Sequence, residues 1–197
     1  MPKKIVTDRA MRAMKTKKKL FQSAVKLIDK YGYGNVTVED ICRKAGVSVG
    51  AYYHYYHSKS DIIVEFFKQI DYYYEENVEP EFTGGAAGDI EIFFRHYAKF
   101  HVDRGYEHTS MVLKVQHDFF LDKSRYMYTR LMSLVTAAKD GGAFGGGEKP
   151  ERIADFLLIV ARGMLFDWAL AHGGYDLAEK MGLYVRRAML AFRQGLP

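Results

Sequence analysis

Cysteine and proline are scarce in this chain of 197 residues, and each shortage excludes a class of structure. Cys42 is the only cysteine, so a disulfide within the chain and a zinc site built from several thiolates are both excluded. A single cysteine also fits the reducing cytoplasm. The chain has only four prolines, and its apolar residues recur at a spacing close to that of a helix. Both features favour an all-α fold over a fold built from strands.

Long apolar runs are also missing. The N-terminus is basic but has no apolar segment behind it, so no signal peptide is predicted. The most apolar stretch, residues 153–171, carries Asp155, Arg162 and Asp167, and these charges argue against a membrane span. We therefore interpret the stretch as a buried helix and predict no membrane partner.

Motifs for catalysis, metal binding and nucleotide binding are absent from the sequence. His54 and His57 are separated by three positions and His96 and His101 by five, and neither spacing is that of a helical zinc motif. No P-loop, Rossmann fingerprint or nucleophile elbow occurs. We predict no metal, no cofactor and no enzyme, although catalysis in the aromatic C-terminal part stays as an alternative without an identified nucleophile and base.

Charge is distributed unevenly along the chain. Residues 1–60 contain 13 Lys and Arg against 4 Asp and Glu, a net +9, whereas residues 61–197 sum to −4. A basic head on a mildly acidic body indicates contact with a polyanion, and a solvated lysine-rich tail is the alternative. We divide the chain into a basic arm (1–14), a head (15–60) and a body (61–197).

Capping signals in the head predict three helices. Apolar residues from Leu20 to Tyr31 recur at helical spacing, in a helix that starts as early as Asp8. Thr37 with Asp40 resembles a capping box. Gly46 is placed to end that second helix and Ser48 to cap a third, so residues 37–56 predict a helix-turn-helix.

The segment "NVTVEDICRKAGVSVGAYYHYYHSKSDII" resembles the DNA-binding module of TetR-family transcriptional regulators. The matching positions are Thr37, Ile41, Ala45, Gly46, Val47, Ser48, Gly50, Tyr53, Tyr55, Ser58, Lys59 and Ile62. The resemblance implies an all-α protein, with a three-helix head that binds DNA and a larger helical body that binds a ligand and dimerises.

We expect nine residues to bind double-stranded DNA. The resemblance implies that Thr37, Tyr53 and Lys59 contact phosphates. The recognition helix begins at base edges in the major groove. Val49 and Ala51 stand where the family often has Lys and Thr, which favours apolar contact with thymine methyl groups. The full set is Lys17, Thr37, Ser48, Val49, Gly50, Ala51, Tyr53, His54 and Lys59.

The body is predicted to consist of a long helix (59–78) and five further helices, at 89–104, 109–121, 123–139, 150–172 and 175–194. Its aromatic and methionine side chains are interpreted as ordinary core or, because the resemblance implies a small-molecule effector, as the lining of a pocket. The candidate pocket residues are Phe93, Tyr97, Phe100, Met111, Val115, Phe119, Met127, Met164 and Trp168.

The last two predicted helices are apolar on more than one side, which indicates a homodimer. The resemblance implies a four-helix interface built from these two helices of each subunit. The candidate interface residues are Phe156, Val160, Gly163, Met164, Met181, Val185, Ala188, Met189 and Phe192.

Together these features predict a cytoplasmic, dimeric transcriptional regulator. We interpret it as a repressor of neighbouring genes, released from a palindromic operator when a largely apolar or aromatic effector makes the long helix swing the heads out of register. Recognition helices one duplex turn (~34 Å) or somewhat more apart would fit such an operator. A transcriptional activator, or a helical interaction protein that reads no operator, are the alternatives.

The basic arm yields the first testable prediction. Deleting residues 1–14 should reduce the slope of log affinity for DNA against log salt, because fewer phosphate counterions are released on binding. Fluorescence anisotropy at several salt concentrations measures this slope. An unchanged slope would show that the arm is only a solvated tail.

Overall fold

The computed structural model describes residues 8–114, 121–145 and 147–193, and the regular secondary structure within these ranges is helical. The α-helices of the described residues are α1 (Asp8–Tyr31), α2 (Val38–Ala45), α3 (Val49–Tyr55), α4 (Asp61–Tyr73), α5 (Ala86–Val102), α6 (Tyr106–Lys114), α7 (Tyr126–Asp140), α8 (Pro150–Leu170) and α9 (Leu177–Ala191). The prediction of an all-α fold is confirmed.

The chain forms two compact units, Met1–Phe66 and Phe67–Pro197, and α4 runs across the boundary. The first unit contains the predicted head (15–60) and extends it to Met1 and Phe66; from here on the head means this whole unit. Within it, α1 packs on α2 and α2 packs on α3. The apolar stripe of α1 supplies Leu20, Ala24 and Ile28 to a core that Ile41 and Tyr52 complete. This core holds α2 and α3 at a fixed angle to each other.

The second unit, the body, is organised around α5. This helix packs against α9 and α7, while α8 packs against α6, α7 and α9. Phe93, Phe94 and Phe100 of α5 are fully buried, so the central helix contributes large aromatic side chains to the core. Burial of such side chains is the main source of stability for an all-α body.

The predicted long helix (59–78) is shorter than expected. Regular α-helix ends at Tyr73 and gives way to a wider π-helical turn, Tyr74–Val78, and then to a 3-10 turn, Glu79–Glu81. Pro80 cannot donate a backbone hydrogen bond, so the helix cannot continue through it. The Tyr74 hydroxyl donates to the Phe93 carbonyl at 2.6 Å, which fixes the π turn on α5.

Most helix starts in the body differ from the predicted ones by two or three residues, and α5 begins early, at Ala86. Helix α7 begins at Tyr126, later than predicted, because the Asp122 carboxylate accepts hydrogen bonds from the Ser124 amide and hydroxyl and holds a turn. Helix α6 begins early, at Tyr106, directly after Gly105, whose φ of 85° breaks α5 from α6. Helix α9 begins at Leu177, behind an N-cap at Asp176.

No α-helix among residues 8–114, 121–145 and 147–193 is long and apolar enough to cross a membrane.

Buried His101 on α5 makes the stability of the body depend on pH. Its side chain is 2% exposed and its Nδ1 lies 3.1 Å from the Thr109 hydroxyl. Burial lowers the pKa of His101 from 6.5 to about 3. As pH falls from 6.5 towards 3, the unfolded chain therefore takes up a proton that the folded chain does not, and stability is lost across this window.

We expect this group alone to make the free energy of unfolding about 2 kcal/mol smaller at pH 5 than at pH 7. Urea denaturation of wild type and His101→Asn at both values measures the difference, which should shrink in the variant. His54→Asn, at an exposed position on α3, is the control and should keep the wild-type pH dependence. Equal pH dependence in His101→Asn would contradict the assignment.

Candidate nucleic-acid interface and cavity

The helix-turn-helix is held by the side-chain caps that the sequence predicts. Thr37 Oγ1 accepts from the Asp40 amide at 3.1 Å and the Asp40 carboxylate accepts from the Thr37 amide at 3.0 Å, which completes the capping box of α2. Hydrogen bonds from the side chain and backbone of Thr37 hold the pKa of Asp40 below its ordinary value. The predicted cap is confirmed.

The turn between α2 and α3 requires a left-handed residue. Gly46 has φ 64° and ψ 43°, and its amide bonds the carbonyls at the end of α2. Ser48 then accepts from the Ala51 amide at 3.1 Å and starts α3. A residue with a Cβ is strained at the Gly46 dihedrals, so this position is tied to glycine.

The aromatic side chains of α3 lie partly in the core and partly at the surface. Tyr52 is fully buried, and its hydroxyl donates to the Ser58 carbonyl at 3.0 Å. Tyr56, the C-cap, is also buried, and its ring lies 5.3 Å from that of Tyr52. Tyr53 is 50% exposed and His54 is exposed beside it. The outward side of α3 therefore presents a phenol and an imidazole.

Most of the predicted DNA-binding residues lie at this surface of the head. Thr37 is exposed at the start of α2, and the start of α3 is exposed at Ser48 and Gly50. Val49 and Ala51 are half-buried. The first turn of α3 thus offers mainly backbone, a hydroxyl and two small apolar side chains to a ligand.

The two predicted lysines already have partners within the head. Lys59 Nζ donates to the carbonyls of Tyr33 and Val36 at 2.8 and 2.9 Å and lies 4.1 Å from the centre of the Tyr33 ring. Lys59 therefore holds the segment that leads into Thr37. Lys17 Nζ pairs with Glu65 at 2.7 Å. A phosphate that binds either lysine therefore has to share the ammonium group with these carbonyls or with Glu65.

A cavity of about 310 Å³ lies in the body, between the turn at 121–125, the start of α7 and the middle of α8. This volume is at the small end of the range for small-molecule sites. Its apolar lining is Leu121, Met127, Leu158 and Ile159. Its polar lining is Asp122, Lys123, Arg125, Tyr128, Asp155 and Arg162.

Of the predicted pocket residues, Met127 lines this cavity. Phe93 and Phe100 are fully buried in the core, and the remaining described candidates, Tyr97, Met111, Met164 and Trp168, are buried without appearing in its lining. Val115 and Phe119 lie outside the described residues. The cavity is more polar than the aromatic pocket that the sequence predicts.

The predicted dimer residues divide between the core and the surface of the subunit. Met164, Met181, Val185 and Met189 are buried within it. The other five, Phe156, Val160, Gly163, Ala188 and Phe192, are at least partly exposed. We define the α8 stripe as five exposed positions at helical spacing, Phe156, Ile159, Gly163, Phe166 and Leu170.

Sequence reasoning missed five members of the polar wall of the cavity (Asp122, Lys123, Arg125, Tyr128 and Asp155) and three members of the α8 stripe. The stripe was detectable from the sequence, because α8 carries a second set of residues at helical spacing next to the set that forms the core. The ion pair at the cavity wall has no sequence pattern, because Arg125 lies 54 positions from its partner Asp71 and nothing local connects them.

Within the described ranges, no three His, Cys, Asp or Glu side chains are grouped as a metal site requires.

Comparison with known proteins agrees with the helix-turn-helix geometry. Residues 20–66 match the family model of bacterial regulatory proteins, tetR family. No curated protein sequence matches the chain significantly. The family resemblance inferred from the motif is confirmed for the head.

Solved structures of regulators share the fold over nearly the whole chain. A TetR transcription regulator from Haloarcula marismortui has a TM-score of 0.69 at 15% identity, covering 91% of this chain and 98% of that one. Thermus thermophilus FadR, a TetR-family repressor in complex with lauroyl-CoA, has 0.66 at 19%, covering 92% and 96%. SmeT in its triclosan complex has 0.65 at 17%, covering 89% and 90%.

Two adjacent tyrosines on α3 allow stability and DNA binding to be separated. Tyr52→Phe should lower the free energy of unfolding by about 1 kcal/mol or more, because the Ser58 carbonyl loses its buried donor. Tyr53→Phe removes an exposed hydroxyl and should change stability by less than about 0.5 kcal/mol while weakening DNA binding.

Urea denaturation and fluorescence anisotropy measure the two quantities. Equal losses of stability in both variants would contradict the assigned orientations of the rings.

Proposed function

We propose that this chain, which carries the tetR-family domain over residues 20–66 and the fold of tetR-family regulators, is a ligand-responsive repressor that binds its operator as a homodimer in the cytoplasm. The observation that carries the proposal is the capped helix-turn-helix with the outward side of α3 exposed. An α-helix of this kind fits the major groove of duplex DNA.

The surface of the head supports contact with DNA by residue type. The exposed Thr37 hydroxyl already donates to the Asp40 carboxylate at 2.8 Å, so a phosphate there would replace that partner. Ser48 and Tyr53 carry exposed hydroxyl donors at the start of α3 and on α3 itself. Such donors bind phosphate oxygens and set the register of a protein on the duplex. Val49, Ala51 and His54 would then carry the base readout, with apolar contacts to thymine methyl groups as its main component.

The cavity in the body supports a response to a small molecule. The related FadR structure holds lauroyl-CoA and the SmeT structure holds triclosan, so this fold accommodates ligands of different chemistry. In this chain the cavity beside α7 and α8 is the proposed effector site. An effector acts only through a difference in its affinity for the DNA-bound and released conformations.

The α8 stripe supports dimerisation. Ile159, Phe166 and Leu170 are each more than half exposed on one side of α8. On α9, Leu183, Tyr184 and Leu190 are exposed as well. A monomer gains nothing from exposing so much apolar surface on two neighbouring helices, whereas a two-fold interface would bury it.

A helical interaction protein that reads no operator is the alternative function. The small, mostly apolar tip of α3 favours it, because few polar side chains are present there to discriminate bases. A gel-shift experiment with the DNA upstream of the chain's own gene separates the two functions. The repressor requires preference for that DNA over competitor DNA at moderate salt.

The operator prediction is that His54→Ala reduces this preference while a salt-dependent, non-specific affinity persists. The control is Lys26→Ala, a charge removal at an exposed position of α1 away from α3. Wild-type binding without sequence preference would overturn the repressor function and favour the interaction protein.

The dimer prediction concerns the α8 stripe. Phe166→Glu should convert a dimer into a folded monomer, because it places a charge in the apolar interface. Sedimentation velocity measures the mass and circular dichroism checks the fold. Val102→Glu, at an exposed position on α5, is the matched control and should stay dimeric. A monomeric wild type would overturn the dimer.

A further inference from the structure

Arg125 is part of both the cavity lining and an ion pair with α4. It lines the cavity, and its Nε and Nη2 each lie 3.2 Å from a carboxylate oxygen of Asp71 on α4. The side chains of the pair are only 8% and 17% exposed. An Arg–carboxylate pair with two parallel contacts and little solvent is the strong form of ion pair.

Asp71 also holds the start of α7. Its Oδ1 accepts from the Met127 amide at 3.1 Å, and the side chain of the N-cap residue, Arg125, does not cap α7. Asp71 therefore satisfies one of the amides that every helix leaves unpaired at its N-terminus. Through this carboxylate, α4 is joined both to the cavity wall and to α7.

Three cations and two carboxylates line the cavity, and the carboxylate that balances the third cation, Asp71, lies outside the lining. Lys123, Arg125 and Arg162 face two carboxylates, Asp122 and Asp155. The Asp122 carboxylate is engaged with the Ser124 amide and hydroxyl. Asp155 pairs with Lys123 at 2.7 Å, in a contact that solvent screens because both side chains are about half exposed.

The rest of the cavity lining is apolar and consists of Leu121, Met127, Leu158 and Ile159. Ile159 is also 65% exposed and belongs to the α8 stripe. A ligand with an apolar body and one anionic group complements this arrangement. A cation would be repelled by Arg125 and Arg162, and a fully apolar molecule would offer no charge to either guanidinium.

We infer that the cavity binds an amphipathic organic anion, and that the anion competes with Asp71 for Arg125 and so loosens α4 from the start of α7. The inference rests on the proposed function in taking this cavity as the effector site. It adds the chemical class of the ligand, a carboxylate or phosphate ester with an apolar body. It also adds the ion pair, Arg125–Asp71, that ligand binding would weaken.

The consequence for DNA binding follows from chain connectivity. Helix α4 begins in the head and ends in the body, with Asp71 in its last turn. Loss of the Arg125 contact removes a restraint on the end of this helix. By linkage, an anion that favours the loosened state must bind more weakly to the DNA-bound protein, by the same factor as it weakens DNA binding.

Ligand chemistry is tested by calorimetric titration of the full chain without DNA. The anionic probes are decanoate, salicylate and decyl phosphate, and the neutral counterparts are decanol and salicyl alcohol. We expect at least one anion to bind about tenfold or more tightly than its neutral counterpart. Binding of decanoate or salicylate identifies a carboxylate ligand, and binding of decyl phosphate alone identifies a phosphate ester. Neutral probes that bind as tightly, or no binding by any anion, would overturn the inference.

Three variants test the competition between the anion and Asp71. Arg125→Gln should weaken anion binding about tenfold or more and leave the neutral counterpart unchanged. Asp71→Asn should tighten anion binding severalfold, because Arg125 loses its competitor. A gain in affinity cannot result from misfolding, so this variant decides the question even if Arg125→Gln is unstable.

The matched control is Arg130→Gln. Arg130 is also on α7 and pairs with Glu79, its Nη2 lying 2.8 Å from the carboxylate, but it does not line the cavity. This variant removes a similar ion pair and should leave anion affinity unchanged. Unchanged affinity in both Asp71→Asn and Arg125→Gln would overturn the competition.

DNA binding is measured separately so that the two proposals fail independently. In the absence of ligand, Asp71→Asn should weaken operator binding, and the anion should reduce DNA affinity less in this variant than in wild type. If wild type shows no operator preference, the repressor function fails while the titrations still decide the ligand class. If operator binding holds and the anion leaves it unchanged, the coupling through Asp71 is overturned.

Discussion

The proposed interface depends on the burial of one aromatic ring. Tyr52 is fully enclosed in the head, and its hydroxyl is satisfied by the Ser58 carbonyl in the turn that leads to α4. Because successive residues of a helix differ by about 100°, this single orientation turns Tyr53 by about 100° and His54 by about 200° from the buried ring, so both point out of the core. The same hydrogen bond joins α3 to the start of the helix that enters the body, so the recognition surface and the connection to the body share one anchor.

Cations with internal partners recur in both units. In the head, Lys59 binds two carbonyls before Thr37, and Lys17 pairs with Glu65. In the body, Arg125 pairs with Asp71. Each of these three cations already has a partner within the subunit, so an anionic ligand that binds one of them has to replace or share that partner. Replacing the internal partner lowers the net affinity for the ligand. It also lets the ligand change the part of the structure that this internal partner stabilised.

The head was predictable because its signals are local. The Thr37–Asp40 box, the left-handed Gly46 and the Ser48 cap each involve residues within a few positions, and all three are present in the structure. The end of α4 was not predictable in the same way. Pro80 marked where helix stops, but the π turn depends on Tyr74 reaching the Phe93 carbonyl of another helix.

By itself the sequence determined the helix-turn-helix, the all-α class and the asymmetric charge, since caps, period and composition act over short separations. Only the tertiary structure decided which face of α8 is core and which is exposed at Ile159 and Phe166. It also decided that Arg125 meets Asp71 across 54 positions at the wall of a cavity. Such contacts depend on how helices pack against one another, and the pattern within any one helix carries no information about its partner's side chains.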